Sequence, residues 1–80
     1  MTDVCLYNTI IIDSGVLMDA RLFGTWDDAA KFILDYLNDP DERKKSGRQQ
    51  KLISYQHAAR WLGQQESLFA CIIKQVVRIR

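Results

Sequence analysis

The chain is poor in the groups that chemistry usually requires. It has one histidine, His57, in 80 residues, which argues against a catalytic triad and excludes a His-rich metal site within one chain. Its two cysteines, Cys5 and Cys71, lie far apart and in no CxxC spacing, as expected of reduced, buried thiols in a cytoplasmic protein rather than of a disulfide scaffold. No glycine-rich phosphate loop or Walker pattern is present. The N-terminus carries Asp3 and no basic stretch, which argues against a signal peptide. The apolar runs fall far short of the roughly 20 residues that span a bilayer. Asp27 and Asp28 are adjacent, and neighbours on a helix project about 100° apart, so they would not converge on one atom. Together these absences predict a soluble, cytoplasmic, single-domain protein over residues 1–80, with no cofactor, metal or membrane partner, that binds rather than catalyses. Only if the fold brought the two cysteines and His57 together would an active site need reconsidering.

One further scarcity depends on position. Residues 43–80 hold a single acid, Glu66, against nine bases, a net of +8, whereas residues 1–42 hold nine acids against Arg21 and Lys31, a net of −7. The overall charge of +1 hides this division. Such asymmetry points to charged macromolecular partners or to self-association. The apolar fraction of 48% argues against general disorder.

Residues 4–12 and 16–23 are rich in β-branched and large apolar residues and flank Asp13-Ser14-Gly15, which signals a β-hairpin. A three-residue loop, with Gly15 in the left-handed region, puts Val4, Leu6, Ile10 and Ile12 on one face with Val16, Met18, Ala20 and Leu22, interrupted only by Asn8. That face is expected to meet the core, leaving Tyr7, Ile11, Leu17 and Phe23 outside. Thr25-Trp26-Asp27-Asp28 reads as a capped helix start with first-turn acids, and Trp26, Ala29, Ala30, Ile33 and Leu37 follow at helical spacing. The helix is expected over 25–38 and is stopped by Asn38-Asp39-Pro40, with Asp27, Lys31 and Asp35 in a column on its other side.

Residues 39–51 contain no apolar side chain beyond Pro40 and predict a solvated connection with at most a turn of helix after the proline. From Arg48 to Leu62 the pattern is again helical, with Leu52, Tyr55, Ala59 and Leu62 on one face and Gly63 at the end. Residues 67–80 are ambiguous: their composition suits a strand, and their spacing suits a helix to about Val77. The expected architecture is α+β, a β-hairpin packed on three helices (ββααα). The alternative ends in a strand (ββααβ) and would relieve the marginal stability of an isolated hairpin.

Three groups of residues are candidates for binding. Ile53, His57 and Trp61 fall at i, i+4 and i+8, away from Leu52, and form either a stripe beneath another layer or an exposed aromatic anchor. The acidic helix offers Asp27, Asp28 and Asp35, with Phe32 at the margin of its apolar stripe, to a protein partner with a basic groove. Arg43, Lys44, Lys45, Arg48 and Lys51 could contact phosphates, or serve as a solvated complement to the acidic half. Ala59, Gly63 and the apolar residues after them also resemble helix-turn-helix spacing, a match that any tight αα corner shares. The function expected from these residues is a small interaction protein that occludes or bridges a larger partner, in the manner of phage or mobile-element inhibitors of bacterial defence complexes, anti-CRISPR proteins included. The competing expectations are a nucleic-acid-binding regulator and a homodimeric scaffold in which opposite charges meet.

Overall fold

The computed structural model describes the backbone of residues 2–79 and the side chains of residues 2–78. Two strands, β1 (Thr2–Asp13) and β2 (Val16–Phe23), lead into three helices, α1 (Trp26–Asn38), α2 (Pro40–Lys45) and α3 (Tyr55–Leu62), and the chain returns in β3 (Leu68–Ile79). The sheet is antiparallel in the order β2-β1-β3. The fold is therefore α+β with a terminal strand, and the expected ββααα arrangement is corrected at residues 67–77. Those residues alternate Leu68, Ala70 and Ile72 toward the helices with Phe69, Cys71 and Ile73 away from them. A continuous apolar run fits a helix or a two-sided strand equally well by spacing. What decides is that β1 would otherwise present a bare edge 12 residues long, and β3 pairs with all of it, from Thr2↔Ile79 to Asp13↔Leu68.

The hairpin turn is tighter than expected. Asp13 pairs with Val16, and both intervening residues have positive φ, 53° at Ser14 and 80° at Gly15, the signature of a type I′ turn. The Ser14 N–H donates to the Ser67 carbonyl at 2.8 Å, tying the turn to the start of β3. One pair further in, Ile12 faces Leu17 but Ile11 faces Asp19, leaving Met18 as a bulged residue. Beyond the bulge Ile10 lies opposite Ala20 and Asn8 opposite Leu22, two residues further along β2 than the expected Asp13-Ser14-Gly15 loop would set them, although the even-numbered residues of both strands share a face as expected.

The two faces of the hairpin are exchanged relative to expectation. Ile11 and Thr9 are fully buried beneath the helices, and the Phe23 ring lies 5.4 Å from that of Phe32. Val4, Leu6, Ile10, Ile12 and Leu22 look away. The polar group this admits to the interior is satisfied, since the Thr9 hydroxyl donates to the Arg21 carbonyl at 3.3 Å. All three helices belong to a single crossover from β2 to β3, so they can cover only one side of the sheet.

The core is small. Ile33 and Leu37 of α1, Leu52 of the connection and Ala58 of α3 form its centre, with Leu68, Ala70 and Ile72 of β3 packed against it. Helix α1 has the expected bounds because the Thr25 hydroxyl accepts the Asp28 N–H at 3.2 Å and closes its first turn. The expected helix over 48–62 shortens to 55–62. Ser54 is its cap, accepting the His57 N–H at 3.1 Å, so Leu52 reaches the core from an extended segment and Ala58 rather than Ala59 is buried. The residues that helix-turn-helix spacing would assign to a reading helix form β3 instead.

Candidate functional site

Helix α1 presents a groove of about 380 Å³ lined by Phe32, Asp35, Tyr36, Asp39 and Glu42. Its construction follows from helical spacing, because residues three and four apart share a face. Phe32, Asp35, Tyr36 and Asp39 therefore stack along one side. Asp39 also caps α2, accepting the Asp41 N–H at 3.1 Å, and Pro40 fills the first helical position, so the chain turns at once and brings Glu42 against the same groove. Phe32 is held between rings, with Phe23 at 5.4 Å and Tyr36 at 6.5 Å, and the Arg21 guanidinium lies 4.8 Å from its centroid. Burial, then the charges of Glu42, Asp13 and Asp19, push the Tyr36 phenol above its ordinary value. Arg21 already lies over the Phe32 ring and Lys45 beside Glu42, so the part of the groove that suits a lysine or arginine side chain of a partner is Tyr36 with the carboxylates of Asp35 and Asp39. Asp27 and Asp28 stand exposed one to two turns away on the same helix, so the structure gathers Phe32 and Asp35 and places this pair beside them. Tyr36, Asp39 and Glu42 were not singled out in the sequence, although the i+3 and i+4 spacing from Phe32 and Asp35 marks the first two.

The stripe of Ile53, His57 and Trp61 does not form. Ile53 precedes the helix and is 84% exposed, and its N–H donates to His57 Nδ1 at 3.3 Å. Trp61 is half-buried against the core, with the Arg48 guanidinium 4.6 Å over its ring, so it is no exposed anchor. The more exposed tryptophan is Trp26, at 40%, edge-on to Tyr55 at 5.1 Å.

The basic segment is divided by its own hydrogen bonds. Gly47, at φ 69°, ends α2 in a Schellman motif: the Arg48 N–H donates to the Arg43 carbonyl at 2.9 Å, and the Gly47 N–H to the Lys44 carbonyl at 3.2 Å. This turns Arg48 back over the fold. Its guanidinium donates to Asn38 Oδ1 at 3.2 Å, to the Gln50 carbonyl at 3.1 Å and to the Leu37 carbonyl. The Arg48 Nε is buried without a partner, and burial, then the Arg43 charge, lowers its pKa. Arg43 donates to the carbonyls of Asn38 at 3.1 Å and Gln49 at 3.0 Å. Asn38 completes the lock, its amide donating to the Leu52 carbonyl and accepting the Leu52 N–H, both at 2.8 Å. Both arginines are thus structural. Lys45 lies 3.6 Å from Glu42, while Lys44 and Lys51 are exposed. A second cleft of about 290 Å³ lies among Asp13, Glu42, Lys45, Arg48, Trp61 and neighbouring residues, its charges of mixed sign.

Among the described residues, the two cysteines are not brought together. The His57 imidazole accepts a backbone N–H through Nδ1, and the Ser54 hydroxyl serves as a cap. Cys5 and Cys71 are free thiols on opposite faces of the sheet, but not the buried pair expected: Cys5 is exposed and Cys71 half-buried, the latter pushed above its ordinary pKa by burial. Among the described residues no group of three His, Cys, Asp or Glu side chains could hold a metal, and no helix is long and apolar enough to cross a membrane. Compared with protein-family models, curated proteins and solved structures, the chain matches none of them.

Proposed function

We propose that this protein is a non-enzymatic interaction module that docks its α1 face on a basic protein surface and so blocks it. The observation that supports this is the groove of Phe32, Asp35, Tyr36, Asp39 and Glu42, where aromatic walls and carboxylates converge, with Arg21 over Phe32 and Lys45 beside Glu42 leaving Tyr36, Asp35 and Asp39 to receive a partner's cation. Asp27 and Asp28 extend the negative surface along the helix. Charge steers encounter and sets orientation, and the rings supply affinity once a cationic side chain is desolvated between them. A basic surface of this kind commonly serves nucleic acid. The protein is accordingly proposed as an inhibitor of a nucleic-acid-processing complex, of the type that phages and mobile elements direct against bacterial defence. It would act in the cytoplasm.

A pull-down from the native host, read by mass spectrometry, tests the proposal. Wild-type protein should enrich a basic nucleic-acid-binding protein that Phe32→Ala and Asp35→Lys both lose. Retention of the same partner by both variants would remove the groove from the account. Direct nucleic-acid binding is the second reading, favoured only by the exposed Lys44 and Lys51 beside Lys45. An anisotropy titration with random duplex DNA separates the two: absence of binding at low salt is expected, and steep salt-dependent binding would favour the regulator.

A further inference from the structure

We propose that the open face of the sheet is the interface of a symmetric dimer, its occupant a second copy of this chain. This does not rest on the α1 groove, which lies on the opposite side of the sheet.

The first observation is how the faces are allocated. The helices cover the side that carries Thr9, Asp19, Arg21 and Lys74. They leave open the side on which, from Val4 inward, Asn8 and Gln75 are the only polar residues. The crossover fixes which side is roofed and leaves the more apolar side open, so a partner seated there would add burial that the helices cannot supply.

The second is area. Leu17, Leu22, Phe69, Ile73 and Val77 are between 42% and 59% exposed. Taking about 150–250 Å² for a large apolar side chain, these five alone bare on the order of 500 Å². The partly exposed Val4, Leu6, Ile10 and Ile12 lie between them. The face thus exceeds the few hundred Å² usual for a monomer and approaches the roughly 800 Å² per partner of a standard interface.

The third is charge. Among the described residues the open face carries none, whereas both outer strands place charges on the helix side, Asp19 and Arg21 on β2 and Lys74 and Arg78 on β3. Those charges blunt edge-to-edge pairing. A flat uncharged face gives nucleic acid or a charged protein surface nothing to pair with, but it is complementary to itself, which is what an isologous two-fold interface requires. Two copies would stack their sheets about 10 Å apart with the helices outermost. Stacking also covers the ribbon of residues 2–6 with 75–79, where β1 and β3 run on past the end of β2 as two strands alone.

Sedimentation velocity of the full chain at tens of micromolar tests this. The expected species has twice the mass of one chain and is unmoved by raising the salt, since no ion pair holds it. Leu22→Lys and Ile73→Lys should each weaken the dimer by about 100-fold or more, because each buries an unpaired charge, with the circular dichroism spectrum retained. Ile53→Lys, at an equally apolar exposed site off the face, should leave the dimer intact. Should the lysine variants fail to fold, mixed labelled and unlabelled wild-type protein should give intermolecular NOEs among the methyls of Leu17, Leu22 and Ile73. A monomeric wild type at this concentration, a dimer that salt dissolves, a dimer that survives both folded lysine variants, or a dimer without those NOEs would each overturn the proposal.

Discussion

The two sides of the three-stranded sheet differ in a way that hydrophobicity alone does not predict. One side meets α1 and α3 across Ile11, Ala70 and Ile72, yet also carries Thr9, Asp19, Arg21 and Lys74. The other is almost uniformly apolar and meets no helix. In a small fold, connectivity can outrank composition in deciding what is buried. Every helix lies in the single link from β2 to β3, so only one side can be roofed. The roofed side tolerates a threonine because its hydroxyl finds a carbonyl.

The sharpest way to break the comparison is to remove the same bulk from both sides. Ile11→Ala, beneath the helices, should lower the stability of the chain by about 2–5 kcal/mol in urea denaturation. At low protein concentration, where only single chains are present, Leu22→Ala on the other side should change it by less than about 0.5 kcal/mol. Equal losses would mean that both sides are buried within one chain.

The roof can then be loosened without touching the sheet. Asn38→Ala should cost about 1–3 kcal/mol, because the Leu52 N–H and carbonyl both lose their partner and Arg48 loses one acceptor. An unchanged denaturation midpoint would show that the connection is held by other contacts. A smaller effect is expected at Gly47, whose φ of 69° positions Arg48; Gly47→Ala should cost about 1 kcal/mol. Gly63 has φ −62° and room for a Cβ, so Gly63→Ala should fall within about 0.5 kcal/mol of wild type.

The smallest effect concerns pH. Tyr36 and Tyr55 are both partly buried, and burial is the first cause raising each phenol above 10.0. A raised folded-state value means that the neutral phenol is favoured in the fold. The stability it contributes is complete below pH 10 and drains away as the pH climbs through the raised values. Alkaline titration by tyrosinate absorbance should show these two lagging behind a denatured control, and Tyr36→Phe should remove one lagging phenol. Titration of both at the control value would mean that neither phenol is shielded from solvent.

The sequence disclosed some of these features and concealed others for physical reasons. Helix α1 was legible because local signals agree: a threonine cap, two first-turn acids and one apolar stripe all name the same boundaries. That Asn8 and Ile10 share a face with Ala20 and Leu22 was legible from like residues, although the register itself, set by a two-residue turn plus a bulge at Met18, was not. Which side of the hairpin would be covered was illegible, since that depends on where the crossover passes. Residues 67–77 were undecidable by periodicity, and only the bare edge of β1 favoured a strand. Within the candidate site, Phe32 and Asp35 were visible as an aromatic beside acids, and Tyr36 and Asp39 share their helical face. Glu42 joins them only through the turn at Pro40. That Arg43 and Arg48 fold inward while Lys44 stays in water depends on Gly47 and on an asparagine ten residues earlier, a contact that no local pattern records.

The long ladder between β1 and β3 also constrains how this chain reaches its native state. The central strand is made before the partner that spans its whole length, with β2 and all three helices between them. Pairing across the 54 residues from Ser14 to Ser67 must wait until β3 is made and closes a large loop when it comes, a topology that folds slowly for its size. Until then the nascent hairpin stands with one flank unpaired, and a chain cut short before residue 68 would keep that flank for good.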